Sequence, residues 1–384
     1  MTAEQRLLIK ALAQAVSGKP CAVPENVDWR RFIGLCKMHA VEAIIYDGLQ
    51  KAGLWSQVPE PGRKILTQAY QTAIFQDAQF AHLKNTLTQK LSEAQVPYLL
   101  LKGICLKESY PEPALRTMCD IDILVRTEDY PALDKIAEEM GAKAGHSDGN
   151  HRNFTFPGGI TVEFHPNLLH HGTPVGTGIN PGWQYAAENG NHLTPEGFYL
   201  NTLCHLANHF VSGGVGVRFV LDVWVNRHLR MPEFDRSAVE NELKRFELLE
   251  FAQNIEALAE FWFGRGEETP LLAALGEYIL SAGQYGTMDR AVLNAVALSP
   301  KQSKSSALLK KAFYSREELE DRFPWCKGKP YLLPVAWGTR CFRAVTRRGG
   351  LILKWSKETG KISNEEILTQ KALLNQFGIR SKEK

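Results

Sequence analysis

The stretch Tyr98–Val125, YLLLKGICLKESYPEPALRTMCDIDILV, decides how this chain is read. It opens on an apolar run, Tyr98 to Leu101, bounded by Pro97 before and by Lys102-Gly103 after. That is the pattern of a short buried strand ending in a tight turn. A helical turn is expected next. The stretch closes on Asp120-Ile121-Asp122-Ile123-Leu124-Val125, where β-branched residues dominate and polar and apolar positions alternate, so a half-buried strand is expected. Asp120 and Asp122 then share one face, their Cα atoms roughly 6.5–7 Å apart, while Ile121, Ile123 and Val125 pack behind. Two carboxylates on one face repel, and without a cation one of them would raise its pKa. A divalent metal accounts for the pair; a solvated strand edge that happens to carry two aspartates is the plainer alternative.

Downstream, Gly159 to His165 reads GITVEFH and sets a third carboxylate, Glu163, among apolar neighbours, where a charge needs a partner. His151–Phe156 and Ile160–His165 alternate around Pro157-Gly158-Gly159, a hairpin signal. Glu163 is therefore expected on the second arm, beside the aspartate strand. His165 falls on the face of Glu163 and could bind a metal, touch a phosphate or serve as a structural residue. Between the two strands, Thr127 reads as a helix N-cap with Glu128 and Asp129 in the first turn, and Gly141 ends that helix after Met140.

In this order the elements resemble the nucleotidyltransferase superfamily typified by DNA polymerase beta: an apolar strand, Lys102-Gly103, a short helix, Asp120-Ile121-Asp122-Ile123, then Glu163 on a later strand. LLLKG, then YP and LR before DIDILV, then VEFH, are similar to the branch called the uncharacterised nucleotidyltransferase family. The resemblance is strongest from about Tyr98 to His165. It implies that Asp120, Asp122 and Glu163 hold two Mg²⁺ (or Mn²⁺) ions and that the turn at Gly103 approaches the triphosphate of a bound NTP, ATP being the one expected. Ile104 follows Gly103, where the superfamily usually has Gly or Ser. Lys102 and Arg116 are candidates for neutralising phosphate charge, although Lys102 could instead be salt-bridged in the core. The implied activity is transfer of a nucleoside monophosphate to an acceptor, a small molecule, a protein or a nucleic acid, with release of pyrophosphate. Two other readings stand beside it: a catalytically silent fold that binds a nucleotide or a partner protein, and phosphoester hydrolysis with water as the acceptor.

The fold class that follows is α+β, a small mixed nucleotidyltransferase sheet core flanked by N-terminal and C-terminal helical segments. Four regions are expected: a helical region over 1–90, the core over 91–170, a helical domain over 171–300, and a basic, aromatic-rich region over 301–384. In the first, apolar positions recur at helical spacing from Leu7, and again after the start signal Asp28-Trp29. From Gly62 to Gln95 a long helix is expected to bury Leu66, Tyr70, Ile74, Phe80, Leu83, Leu87 and Leu91. Gly, Pro and Asn crowd the span from His170 to Asn191, a loop or lid candidate. On the helix that follows, His205 and His209 stand at i and i+4, where two imidazoles can meet one ligand. No structural zinc is expected there, since Leu206 occupies the Glu position of H-E-x-x-H and no further ligand stands at zinc spacing. Arg218 and Asp222 share a helix at i and i+4, either as an ion pair or as nucleotide contacts.

Composition narrows the rest. With 384 residues, 44% hydrophobic and 23% charged, the chain is long enough for two or three domains with real cores. No run reaches the roughly eighteen apolar residues of a membrane span, so membrane insertion is not expected, and the start MTAEQR lacks a secretory apolar region. A cytoplasmic protein is expected. Seven cysteines without a C-x-x-C pair read as reduced thiols, with Cys119 directed away from the Asp120 face. From Lys301 onward nineteen Lys and Arg face eight Asp and Glu. Trp325, Tyr331, Trp337, Phe342 and Trp355 are interleaved with these cations. They form either a polyanion-binding surface or a basic subdomain whose aromatics are buried.

Overall fold

The structure is a computed structural model and describes residues 1–145, 151–169, 175–188, 190–230, 234–284, 286–299, 304, 315–342 and 358–380. Three short helices open the chain. α1 (Ala3–Ser17) starts at a capping box in which Thr2 and Gln5 satisfy each other's backbone N–H groups, and α2 (Trp29–His39) starts where Asp28 accepts from the backbone of Arg30 and Arg31. α3 (Glu42–Lys51) crosses α1 closely: a Cβ at Gly48 would stand 2.0 Å from the Ala11 carbonyl oxygen. Then comes α4 (Glu60–Glu93), 34 residues and about 51 Å long at 1.5 Å per residue. Leu66, Ala73, Phe80 and Leu87, seven apart, are all buried, joined by Leu83 and Leu91. Ile74, expected inside, is exposed. It lies about 100° around the helix from Ala73, so the small alanine takes the inward place.

Helix α4 delivers the chain into β1 (Tyr98–Leu100), followed by the short α5 (Lys102–Leu106), β2 (Asp120–Val125), α6 (Tyr130–Glu139), β3 (Lys143–Ala144), β4 (Arg152–Thr155) and β5 (Thr161–His165). The five strands form a mixed sheet in the order β1-β2-β5-β4-β3, with β2 and β5 parallel and the other pairs antiparallel. Gly158 and Gly159 carry positive φ and turn the chain between β4 and β5. Before α6, Thr127–Asp129 forms a 3₁₀ turn and Thr127 makes no capping bond. The β2 strand differs from a half-buried one: Ile121, Ile123, Leu124 and Val125 are all fully buried. With β1 and β5 on either side, Asp120 is the one residue of β2 left partly exposed.

Beyond the sheet the chain is helical: α7 (Pro195–Ser212), α8 (Val217–Val225), α9 (Arg236–Arg245), α10 (Leu249–Phe263), α11 (Pro270–Leu280), α12 (Met288–Ala297), α13 (Arg316–Arg322) and α14 (Asn364–Gln376). The fold is α+β, a small mixed sheet with helices on either side in sequence. One buried apolar cluster runs from Leu7 to Ile379 and includes both helical parts and the sheet. Of the expected lid, 170–174 and 189 lie outside the described residues. The remainder is tied down: the Asn180 side chain bonds both the N–H and the carbonyl of Leu169, and Leu100 donates to the Asn191 carbonyl. Trp325, Tyr331, Trp337 and Phe342 are exposed rather than buried, and Trp355 lies outside the described residues.

Candidate metal centre

Register builds the site. Asp122 on β2 stands directly opposite Glu163 on β5, and His165 is two residues further along the same face of β5. His165 Nε2 lies 2.7 Å from Asp122 Oδ1 and 3.4 Å from Glu163 Oε2. One ligand atom from each of Asp122, Glu163 and His165 falls within 4.8 Å of the others, a separation one cation could span. Asn153, on the neighbouring strand β4, donates to Glu163 Oε1 at 3.4 Å and steadies that carboxylate. His151 stacks on the His165 ring at 5.6 Å between centroids.

Lys102 is the first residue of α5, which takes the place of the expected tight turn after β1. Its backbone has φ 45°, the left-handed region that a non-glycine residue adopts at a cost, and its Nζ lies 3.0 Å from Asp122 Oδ1. Burial pushes the Asp122 carboxyl up, but Lys102 and the His165 hydrogen bond outweigh it and hold this acid well below the ordinary carboxylate range. Asp120 moves the other way. Burial first, and then the Asp122 charge, push it up to about 6 despite Lys102. The two aspartates thus share one electrostatic field, in which the inner one stays ionised and the outer one carries the repulsion. Asp120, at the mouth of β2 opposite Thr161, is not one of the three residues whose donor atoms converge.

Arg116 is held elsewhere. Its Nε and Nη2 donate to the two oxygens of Asp222 on α8, at 2.8 and 2.7 Å, and Tyr110 donates to the same carboxylate at 2.6 Å. Asp222 therefore does not pair with Arg218 along its own helix. Arg218 instead donates to the Thr117 carbonyl at 2.9 Å, so two side chains of α8 clamp the segment leading into Asp120. The remaining Arg116 nitrogen, Nη1, faces Gly103, where a Cβ would stand 3.1 Å from it. A side chain at Gly103 would push Arg116 back by a few tenths of an ångström.

A carboxylate pair on β2, a third acid on a parallel β5 and a glycine at the start of α5 stand in the order that the sequence resemblance led one to expect, and a family model described as "uncharacterised nucleotidyltransferase" matches residues 25–264. The chain belongs to that family. No curated protein matches it, and no solved structure does. For this nucleotidyltransferase family member, His165 was visible in the sequence as a same-face neighbour of Glu163, whereas Asn153, Tyr110 and the Arg116–Asp222 pair carried no local signal. Arg116 and Asp222 are 106 residues apart, and only the fold brings them together. Among the described residues, no helix is long and apolar enough to cross a membrane.

Proposed function

We propose that this protein transfers a nucleoside monophosphate from an NTP, with ATP first to be tried, to an acceptor hydroxyl or phosphate, releasing pyrophosphate. The observation that carries the reading is the Asp122, Glu163 and His165 convergence beside Asp120 on a nucleotidyltransferase sheet. Carboxylate oxygens suit Mg²⁺ and Mn²⁺, and the added imidazole nitrogen leans towards Mn²⁺. The residues fit such ions, since two crowded aspartates, one with its pKa pushed up to about 6, are relieved by a divalent charge. Asp120, Asp122 and Glu163 would hold them. When bound, the ions supply charge stabilisation at the attacking and leaving oxygens of an in-line displacement.

The protein's own groups do the rest. Glu163, steadied by Asn153, can also take a proton from the acceptor hydroxyl. Lys102 balances the Asp122 charge and can exchange it for a phosphate oxygen. Gly103 in the first turn of α5, without a side chain, lets a triphosphate approach the backbone. Arg116 supports that turn from behind through Nη1, with Asp222 fixing its orientation. The four-region division, with the core over 91–170, and a cytoplasmic setting belong to the same proposal.

One observation favours a second reading, a silent nucleotide-binding protein: Lys102 and His165 both already sit on the same Asp122 oxygen, and an incoming cation must compete with them. A single experiment separates the two. The pure protein is incubated with α-labelled NTPs, Mg²⁺ or Mn²⁺ and a cell extract, with Asp122→Asn as control. Label transferred by wild type alone supports the transferase and identifies its acceptor by mass. Metal-dependent NTP binding without transfer supports the silent reading, and transfer by Asp122→Asn at the wild-type rate refutes the site.

A further inference from the structure

Helix α7 carries a second group of ligand-type side chains. His205 Nε2 and His209 Nε2 lie 3.1 Å apart, and the rings meet edge to face at 4.4 Å. Phe219 of α8 packs on both, at 6.0 and 5.5 Å between ring centroids. The i, i+4 spacing fixes both imidazoles on one helix face, and Phe219 braces them there without any ligand. Two nitrogens at about 2.0–2.1 Å from one first-row cation, with an angle of about 90–110° at the metal, stand about 2.9–3.4 Å apart. The observed separation falls within that interval.

The electrostatics keep both rings ready as ligands. Burial, then Lys102 and His209, hold His205 well below the usual imidazole range; burial, then Lys102, hold His209 at about 4. Asp122 pulls each in the opposite direction, so its negative charge is within electrostatic reach of the pair and offsets the Lys102 ammonium.

We infer that His205 and His209 form an imidazole chelate for an exchangeable cation of the zinc class, distinct from the carboxylate cluster at Asp122, Glu163 and His165. Without the cation the pair is a hydrogen bond, one ring donating its Nε2–H to the bare Nε2 of the other. On binding, the donor ring moves its hydrogen to Nδ1, both Nε2 lone pairs face the ion, both rings stay neutral, and no proton is released. Nitrogen donors select Zn²⁺, Ni²⁺ or Co²⁺ over Mg²⁺, so an all-imidazole pair favours them more strongly than the mixed carboxylate and imidazole cluster of the sheet. Two protein ligands make a site that exchanges with solvent, unlike the four of a structural zinc centre. The inference stands whether or not the protein transfers nucleotides.

The test is a Zn²⁺ titration against a chromophoric chelator, in excess Mg²⁺ and with the exposed thiols Cys119 and Cys341 changed to serine. This parent protein is expected to bind one Zn²⁺ that His205→Gln and His209→Gln each lose and Glu163→Gln keeps. Three results overturn the inference: no binding by the parent, undiminished binding by both histidine variants, or loss in Glu163→Gln alone, which assigns the ion to the carboxylates. X-ray absorption of the zinc-loaded parent needs no ligand variant and guards against a misfolded one. It should show two imidazoles on the metal, and a single imidazole among carboxylate oxygens would overturn the assignment.

Discussion

Asp222 accepts three hydrogen bonds, two from Arg116 and one from Tyr110, inside the protein. Taking away one partner of such a pair leaves a buried charge uncompensated, at about 3–5 kcal/mol. Asp222→Ala is therefore expected to lower the urea midpoint sharply, and Arg116→Met combined with Asp222→Leu to recover most of it. A single Asp222→Ala protein as stable as wild type would show that the pair contributes nothing. His39 gives a pH counterpart. It is fully buried, accepts from the Val217 N–H at Nδ1 and donates from Nε2 to the Leu280 carbonyl, and burial lowers its pKa from 6.5 to about 4. The folded state resists a proton that the unfolded chain takes up below pH 6.5. Stability from this residue is complete above pH 6.5 and lost as pH falls towards about 4, on the order of 3 kcal/mol in all. His39→Gln should flatten that part of the pH–stability curve, and an unchanged slope would assign the effect to other groups.

At the scale of elements, the sheet was legible where the signal was local. Alternation and the Pro157-Gly158-Gly159 turn located β4 and β5, and the D-x-D spacing gave the shared face of Asp120 and Asp122, because both depend on residues a few positions apart. What local pattern does not carry is neighbourhood. The alternation predicted a half-buried strand, yet β2 is flanked by β1 and β5, and Leu124, on the face of Asp120 and Asp122, is buried as fully as Ile121 and Ile123. Ile74 looked like a core position of α4, yet Ala73 holds that place. Helix crossings are equally silent in sequence. Gly48 reads as a weak residue in a helix, but its missing Cβ is what lets α3 lie against the Ala11 carbonyl of α1. Gly48→Ala drives a methyl into rigid backbone, so the helices must separate. About 1–3 kcal/mol of destabilisation is expected, against the gain of up to about 1 kcal/mol that the same change gives in an open helix. A thermal melt decides the sign, and a raised midpoint would mean that α1 and α3 are less closely packed than described.

On the scale of the whole molecule, the last described helix supports α7, the helix of His205 and His209, from a distance. Leu374, Phe377 and Ile379, at the end of α14 and just beyond it, join the main buried cluster, with the Phe377 ring 6.0 Å from Phe210 and 5.5 Å from Tyr278. Gln370 donates to Asn294 Oδ1 at 2.6 Å and to the Tyr278 hydroxyl, while Asn294 Nδ2 donates to the Phe210 and Val211 carbonyls. Those carbonyls belong to the last turn of α7, the turn after His209. Ending the chain at residue 357 removes four buried apolar side chains, Ile367, Leu374, Phe377 and Ile379, worth about 1.5–3 kcal/mol each, and leaves the Asn294 network short of a donor. The truncated protein is expected to melt well below one ending at residue 380. Its amide exchange should quicken through the C-terminal half of α7 while the β2–β5 pairing stays protected. Equal melting midpoints for the two proteins, or exchange that quickens in the sheet and not in α7, would show that α14 does not brace that helix.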